Sequence, residues 1–142
     1  MSRRADPGES FRSTVAEAFA FLVEDAGFCG PEPTKHGLGF HRPGLLVEVW
    51  FLPGREAEVA TWVQRSGADG ATTQSAWLEC LYVAAGCGPA QHVPGAAPTL
   101  RAVLKRVGEH AVALRRLLPF LLTSEAEDLF VRCPPSRHLP TA

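Results

Sequence analysis

An alternation of apolar and polar side chains across residues 37–64 is the sequence feature that most constrains the fold of this chain. The segment reads GLGFHRPGLLVEVWFLPGREAEVATWVQ. Its two interruptions, His41-Arg42-Pro43-Gly44 and Pro53-Gly54-Arg55, have the composition of tight turns. β-Branched and aromatic residues are frequent in all three pieces, as they are in strands. We therefore predict three short antiparallel strands joined by two turns.

The middle strand of this segment predicts a sheet with two different faces. Along residues 45–52 one set of alternating positions is wholly apolar, whereas the other set contains Glu48 and Trp50. In the next strand Trp62 and Gln64 belong to the second set. Because alternate side chains of a strand point to opposite faces, we expect the apolar set to face the core and the second face to be only partly covered.

Helical periodicity flanks the predicted strands on both sides. We expect a first helix that starts near residues 10–14, a second over about 73–85, a third that opens at Thr99 and a short last helix capped by Ser124. Pro119 should kink or break the third helix, because an interior proline removes a backbone hydrogen bond. Strands and helices segregated along the chain predict an α+β fold. Its sheet would be a three- to four-stranded antiparallel meander after an N-terminal helix, packed by C-terminal helices.

Chain length and composition indicate one globular domain. The chain has 142 residues, of which 46% are hydrophobic and 20% charged, values typical of a folded domain rather than a disordered chain. Residues 1–9 are polar and interrupted by a Pro-Gly pair, and residues 134–142 are rich in proline. We therefore predict a disordered arm over 1–9, a single α+β domain over 10–133 and a disordered tail over 134–142.

Charge and hydropathy count against several classes of function. The net charge of −1 gives no overall field toward nucleic acid or an anionic membrane. The basic residues of the third helix are interspersed with Glu109, which favours a solvated helix face. The sequence contains no apolar window of about 18 residues that would cross a membrane and no apolar run that would form a secretory signal. We expect a cytoplasmic protein that binds neither nucleic acid nor membranes.

The four cysteines, Cys29, Cys80, Cys87 and Cys133, contain no C-x-x-C pair. In a cytoplasmic chain we expect them to be reduced and largely buried. Cys80 and Cys87 are seven residues apart, which predicts that they share one helix face. Structural zinc sites normally use ligand pairs separated by two to four residues. We therefore predict no metal and no cofactor.

The sequence indicates no group of residues that would form a catalytic site. Cys87 follows the predicted second helix, and the C-terminal end of a helix does not stabilise a thiolate. Glu48 could form an acid–base pair with Glu79 or His110, although a half-exposed ion pair with an arginine is the more frequent arrangement. The alternative to a binding protein is a small enzyme or ligand-binding domain with a pocket between sheet and helices. Its first candidate residues are Glu48, Cys87 and His92.

Trp50 and Trp62 are the main candidates for a protein-binding surface. If helices cover only one face of the sheet, both indoles lie on the other face, with Glu48, Arg55 and Gln64 as a polar rim. If helices cover both faces, the two tryptophans are core residues, since tryptophan is commonly mostly buried. The sequence supports the two interpretations about equally.

The order of elements also resembles a known class of proteins. The first helix ends in the pattern Phe21-Leu22-x-x-x-x-Gly27-Phe28, followed by Phe40-His41, the alternating strand Val47-Glu48-Val49-Trp50, a hairpin and C-terminal helices. Over residues 11–130 this order is similar to that of small uncharacterised bacterial α+β proteins of the actinobacterial type, many of them immunity-type proteins found beside polymorphic toxins. The motifs are short and apolar, so the resemblance transfers no functional residue. It implies a non-catalytic, stoichiometric protein-binding role as an immunity or accessory protein, and we count a homodimer among the expected assemblies.

Overall fold

The computed structural model of the protein describes residues 7–133. The elements that precede and form the sheet are α1 (Pro7–Ala18), α2 (Ala20–Asp25), β1 (Cys29–Pro33), β2 (Gly37–Arg42), β3 (Leu45–Leu52), β4 (Glu58–Ser66) and β5 (Thr73–Trp77). The elements that follow it are α3 (Leu78–Ala84), a 3₁₀ turn (Ala90–His92), α4 (Leu100–Leu121) and α5 (Ala126–Arg132).

The sheet is an antiparallel meander in which each strand pairs with the next along the chain, in the order β1-β2-β3-β4-β5. The predicted α+β fold and antiparallel meander are confirmed, but the predicted number of strands is too low, because the sheet has five. The first additional strand, β1, contains Pro31 and Pro33. Proline is tolerated there because β1 is an edge strand and does not need to donate hydrogen bonds on its open side.

The second additional strand, β5, occupies residues that the sequence pattern assigned to the start of a helix. Thr73, Gln74 and Ser75 pair with Ser66, Arg65 and Gln64 of β4. The helical periodicity of the apolar residues is real but applies only from Leu78 onward, where α3 begins.

Helix ends differ from the predictions by a few residues. α1 begins at Pro7, so residues 7–9 form its first turn, and proline is well suited to the start of a helix. The remaining residues of the predicted arm, 1–6, and the predicted tail, 134–142, lie outside the described residues. Thr99 caps α4, as its side-chain oxygen accepts a hydrogen bond from the backbone N–H of Ala102 at 3.1 Å. α4 continues through Pro119 and ends two residues later, at Leu121.

The core lies between one face of the sheet and the helices. Buried side chains of α1, α2, α3, α4 and α5 form one cluster with sheet residues Leu38, Phe40, Val47, Val49, Val59 and Val63. This confirms the apolar set of alternating positions as the inner face. The outer-face residues Glu48, Trp50 and Trp62 do not belong to that cluster.

Within residues 7–133, the structure contains no helix with both the length and the apolar character needed to cross a lipid bilayer.

Candidate functional site

The first candidate site is the outer face of the sheet, which we define by the residues that alternate with the core set on the three C-terminal strands. Strand pairing places Glu48 beside Trp62 and Trp62 beside Trp77. It also places Leu46 beside Gln64. The outer face as used below consists of Leu46, Glu48, Trp50, Ala60, Trp62, Gln64, Ser75 and Trp77.

All three tryptophans of the chain meet on this face. The rings of Trp50 and Trp62 are stacked with centroids 5.8 Å apart, and Trp77 meets them edge-on at 5.3 and 5.0 Å. His36 lies 5.1 Å from Trp50. Trp50 and Trp62 are each only 7% exposed, whereas Trp77 is half-buried. The tryptophans therefore shield one another on the face opposite the helical core cluster, and neither interpretation of the sequence describes them fully.

One hydrogen bond fixes the edge of this tryptophan cluster. The indole nitrogen Nε1 of Trp50 donates to a carboxylate oxygen of Glu48 at 2.7 Å. Two residues apart on one strand, these side chains share the outer face, so the carboxylate orients the ring. Glu48 is half-buried, and an ionised carboxylate can accept further hydrogen bonds besides this one.

Four of the five predicted binding residues share this face: Glu48, Trp50, Trp62 and Gln64. Arg55 does not, because it is exposed in the β3–β4 turn and lines a separate hollow with residues 56–58 and 96–98. Sequence reasoning missed Trp77, which it placed inside a helix. Trp77 could have been placed beside Trp62 only if residues 73–77 had been recognised as a strand.

The proposed acid–base partners of Glu48 lie elsewhere. His110 is fully buried in α4 on the inner side of the sheet, where Nδ1 contacts the hydroxyl of Thr61 at 2.8 Å and Nε2 contacts the carbonyl of Pro94 at 2.8 Å. Glu79 lines a hollow of about 240 Å³ with Trp77 and Glu58. Burial, and then the negative charge of Glu58, raise the pKa of the Glu79 carboxyl.

The second candidate site is a cavity of about 640 Å³ between α4, α3 and the 3₁₀ turn. His92, a candidate from the sequence, lines it together with Tyr82 and Arg116. The phenol oxygen of Tyr82 lies 2.8 Å from Nδ1 of His92, and Nη1 of Arg116 donates to it at 3.1 Å. No sequence signal links Tyr82 with Arg116, since they are on different helices. This cavity lies between helical elements, whereas a smaller hollow of about 330 Å³ lies between the sheet and α1.

Cys87 lies beside this cavity without the environment of a nucleophile. Its thiol donates a weak hydrogen bond to the backbone carbonyl of Arg116 at 3.8 Å. Burial raises the pKa of the Cys87 thiol, and the positive charge of Arg116 only partly opposes that effect. The thiol is therefore protonated at neutral pH. α3 ends at Ala84, so the prediction that Cys80 and Cys87 share a helix face is wrong.

Two of the cysteines are oxidised. Cys80 of α3 and Cys133, directly after α5, form a disulfide with Cα atoms 5.9 Å apart, while Cys29 and Cys87 are free thiols. The prediction of reduced cysteines is thus wrong for this pair. Sequence spacing could not reveal it, because the two residues are 53 positions apart and meet only when α5 packs against α3.

In the part of the chain from 7 to 133, no three His, Cys, Asp or Glu side chains come together in a group that could hold a metal ion.

Comparison with known proteins assigns neither a family nor a function to this chain. No family model, no curated protein and no solved structure matches this chain. The resemblance to immunity-type proteins stays a prediction. Function must therefore be argued from the outer face and the cavity.

Proposed function

We propose that the protein acts by binding another protein through the outer face of its sheet. The observation that carries this proposal is that every tryptophan of the chain lies on the face opposite the helical core. The face of an antiparallel sheet that is turned away from the core is normally polar, whereas this face carries three indoles. Aromatic residues are enriched at the centres of protein interfaces and contribute much of their binding energy.

The packing of the indoles suits them to this role. Stacked and edge-on aromatic pairs are worth about 0.5–1.5 kcal/mol each beyond their buried area, so the rings are held in place before a partner arrives. Preorganised side chains lose little conformational entropy on binding. Leu46, Gln64 and Ser75 are half-buried around the cluster and offer apolar and hydrogen-bonding contacts at its border.

The sheet edges are less suitable for association than the face. β1 carries Pro31 and Pro33, which have no backbone N–H to offer to an added strand. β5 is only five residues long. The proposal therefore assigns binding to the outer face, whether the partner is a different protein or a second copy that forms a homodimer.

The biological role that fits this proposal is a stoichiometric immunity or accessory protein, as the resemblance implies. The proposal keeps the predicted cytoplasmic location, although a persistent disulfide is more typical of oxidising compartments. The redox state of Cys80 and Cys133 inside cells distinguishes the two locations.

A charge placed on the outer face should abolish partner binding. Tryptophan-to-alanine variants are unsuitable, because the buried indoles also support folding. Leu46→Glu keeps all three indoles and puts a carboxylate beside them, where a partner would have to desolvate it. We expect co-purification from the native host to recover a partner with the wild type, and Leu46→Glu to bind it at least tenfold more weakly. Dissolution of a homodimer by the same variant, seen by light scattering, would identify the partner as a second copy.

Val131→Glu is the matched control. Val131 is 66% exposed on α5, so this variant adds the same charge to a different surface. It should bind the partner within about twofold of the wild type, and both variants should keep the wild-type circular dichroism spectrum. Equal binding by Leu46→Glu and the wild type would refute the proposed surface, as would a failure of the wild type to bind any protein or itself.

The alternative, a domain that binds a small ligand, is favoured by a separate observation: the cavity beside α4.

A further inference from the structure

The cavity beside α4 is an elongated groove with a positive charge at each end. Lys105 and Arg116 both line it and are eleven residues apart on one helix, which places them on the same face about 16 Å apart along the axis. Between them, Val112 and Ala113 supply an apolar floor. Val112 is 55% exposed and is the part of this floor that is open to a ligand, whereas Ala113 is 1% exposed.

Tyr82 and His92 hold the Arg116 end of the groove. The phenol oxygen of Tyr82 accepts a hydrogen bond from Arg116, so its own proton is available for Nδ1 of His92. Tyr82 is 1% exposed, so its ring is packed on all sides. Gly88 makes room for the imidazole, because a Cβ atom there would lie 2.6 Å from Nδ1 of His92. The guanidinium is thereby oriented without losing its charge to a carboxylate.

The charges at the groove do not cancel. Glu109 also lines the cavity, but it is paired with Arg106 at 2.7 Å. Among the described residues, neither Lys105 nor Arg116 has an acidic partner within ion-pair distance. Two cations beside an apolar floor suit an anion that has an apolar body.

We propose that this cavity binds a small organic anion, with a carboxylate or phosphate head on Arg116 and its apolar body along Val112. Arginine matches either head in a bidentate geometry. A volume of about 640 Å³ lies within the range of small-molecule sites, which is about 300–1,000 Å³. This site is separate from the outer face, and its occupant is a small molecule rather than a protein.

The test uses three probes that share a six-carbon chain: hexanoate, hexyl phosphate and the neutral hexanol. Each is titrated into the full-length protein and followed by the NMR shifts of the backbone amides of residues 108–113. We expect saturable shifts with at least one of the anions and none with hexanol at the same concentration. The comparison of hexanoate with hexyl phosphate tells which head group the site prefers.

Variants of the two ends of the groove locate the anion. Arg116→Gln removes the guanidinium and should weaken binding at least about tenfold, the effect of losing a charge-assisted hydrogen bond. Lys105→Gln should weaken it by a smaller factor. Arg101→Gln, the matched control, removes one charge from an exposed residue of the same helix outside the cavity lining, and should change affinity less than twofold.

Three results would overturn the proposal: no saturable shift with either anion, equal binding of hexanol, or equal weakening by Arg116→Gln and Arg101→Gln. The last would mean that the helix attracts anions only through its overall charge. None of these results would affect the proposed outer-face interaction, since Leu46→Glu and the anion titration probe different surfaces.

Discussion

Replacement of His110 by alanine should lower the free energy of unfolding by about 4 kcal/mol. The imidazole is fully buried and joins three parts of the fold: α4, strand β4 through Thr61, and the loop after the 3₁₀ turn through Pro94. Alanine would leave a cavity, the buried hydroxyl of Thr61 without its partner and the carbonyl of the half-buried Pro94 without its donor. Each such group costs about 1–3 kcal/mol.

The hydrogen bond to Pro94 defines the tautomer of the neutral His110 imidazole. A carbonyl oxygen can only accept, so Nε2 carries the proton and donates to Pro94. Nδ1 is then the acceptor for the hydroxyl of Thr61. Burial lowers the pKa of His110 below its ordinary value of about 6.5, although the hydrogen bond to Pro94 opposes this effect. The folded protein therefore holds a neutral imidazole at pH 7.

This lowered pKa predicts a pH dependence of stability. Above about pH 6.5 the imidazole is neutral in both the folded and the unfolded state, and it adds no pH dependence. As the pH falls below that value, the unfolded chain binds a proton that the folded protein resists. The wild type should then lose up to about 1.4 kcal/mol per pH unit from this group, down to the lowered folded pKa. His110→Ala should lack this contribution.

Urea unfolding of the wild type and His110→Ala between pH 7.5 and pH 5 measures both effects, with His41→Ala as the control. His41 is exposed, and its Nε2 lies 3.1 Å from a carboxylate oxygen of the exposed Glu32, so its removal should cost less than about 1 kcal/mol. A His110→Ala protein as stable as the His41→Ala protein would contradict the buried network. A wild type and His110→Ala variant whose stabilities run parallel across this pH range would contradict the lowered pKa.

The sequence predicts those parts of the fold whose signal is local. The alternation across residues 37–64 defines β2, β3 and β4, because a period of two is read within a single strand. For the same reason it sorts Glu48, Trp50, Trp62 and Gln64 onto one face before any partner strand is known. A strand that forms only because it pairs with a neighbouring strand cannot be predicted from its own sequence pattern. Residues 73–77 are mostly polar and become β5 only through pairing with β4.

The parts of the candidate sites that depend on long-range contacts could not be predicted. Trp77 joins the outer face through β5. The helical periodicity of the residues that follow it led to the prediction that Trp77 belongs to a helix. Tyr82 and Arg116 are 34 residues apart and meet because α3 and α4 pack together. The turn that carries Arg55 has no periodicity in its sequence. The direction of the Arg55 side chain relative to the outer face therefore could not be predicted.

Reduction of the bond between Cys80 and Cys133 should destabilise the protein by about 4 kcal/mol on the chain-entropy model, because the bond closes a loop with a sequence separation of 53. The bond ties α5 to α3, where Leu129 and Phe130 of α5 enter the core and Arg132 donates to the carbonyl of Ala84 at 3.3 Å. Without it, the packing of these residues alone holds α5 in place.

Urea unfolding with and without reductant measures the loss, and thiol titration of the unreduced, denatured protein should find two of the four cysteines free. Cys80→Ala is the better variant, because Cys80 is exposed and Cys133 is 1% exposed. Without reductant, Cys80→Ala should have the same free energy of unfolding as the reduced wild type. Cys29→Ser should have the same free energy of unfolding as the wild type with its disulfide intact. Four free thiols in the unreduced protein, or no effect of reductant, would contradict the bond.

Trapping the thiols by alkylation inside native cells connects this bond to the proposed function. An oxidised pair would place the protein in an oxidising compartment, since cytosolic reductants keep most thiols reduced, and would remove the cytoplasmic location from the proposal. A reduced pair would keep that location and would mean that α5 is held in cells by Leu129 and Phe130 without the covalent tie. Binding at the outer face should be the same in both states, because neither Cys80 nor Cys133 belongs to that face. A partner that binds only one redox state would therefore dock on the α3–α5 side and not on the tryptophans.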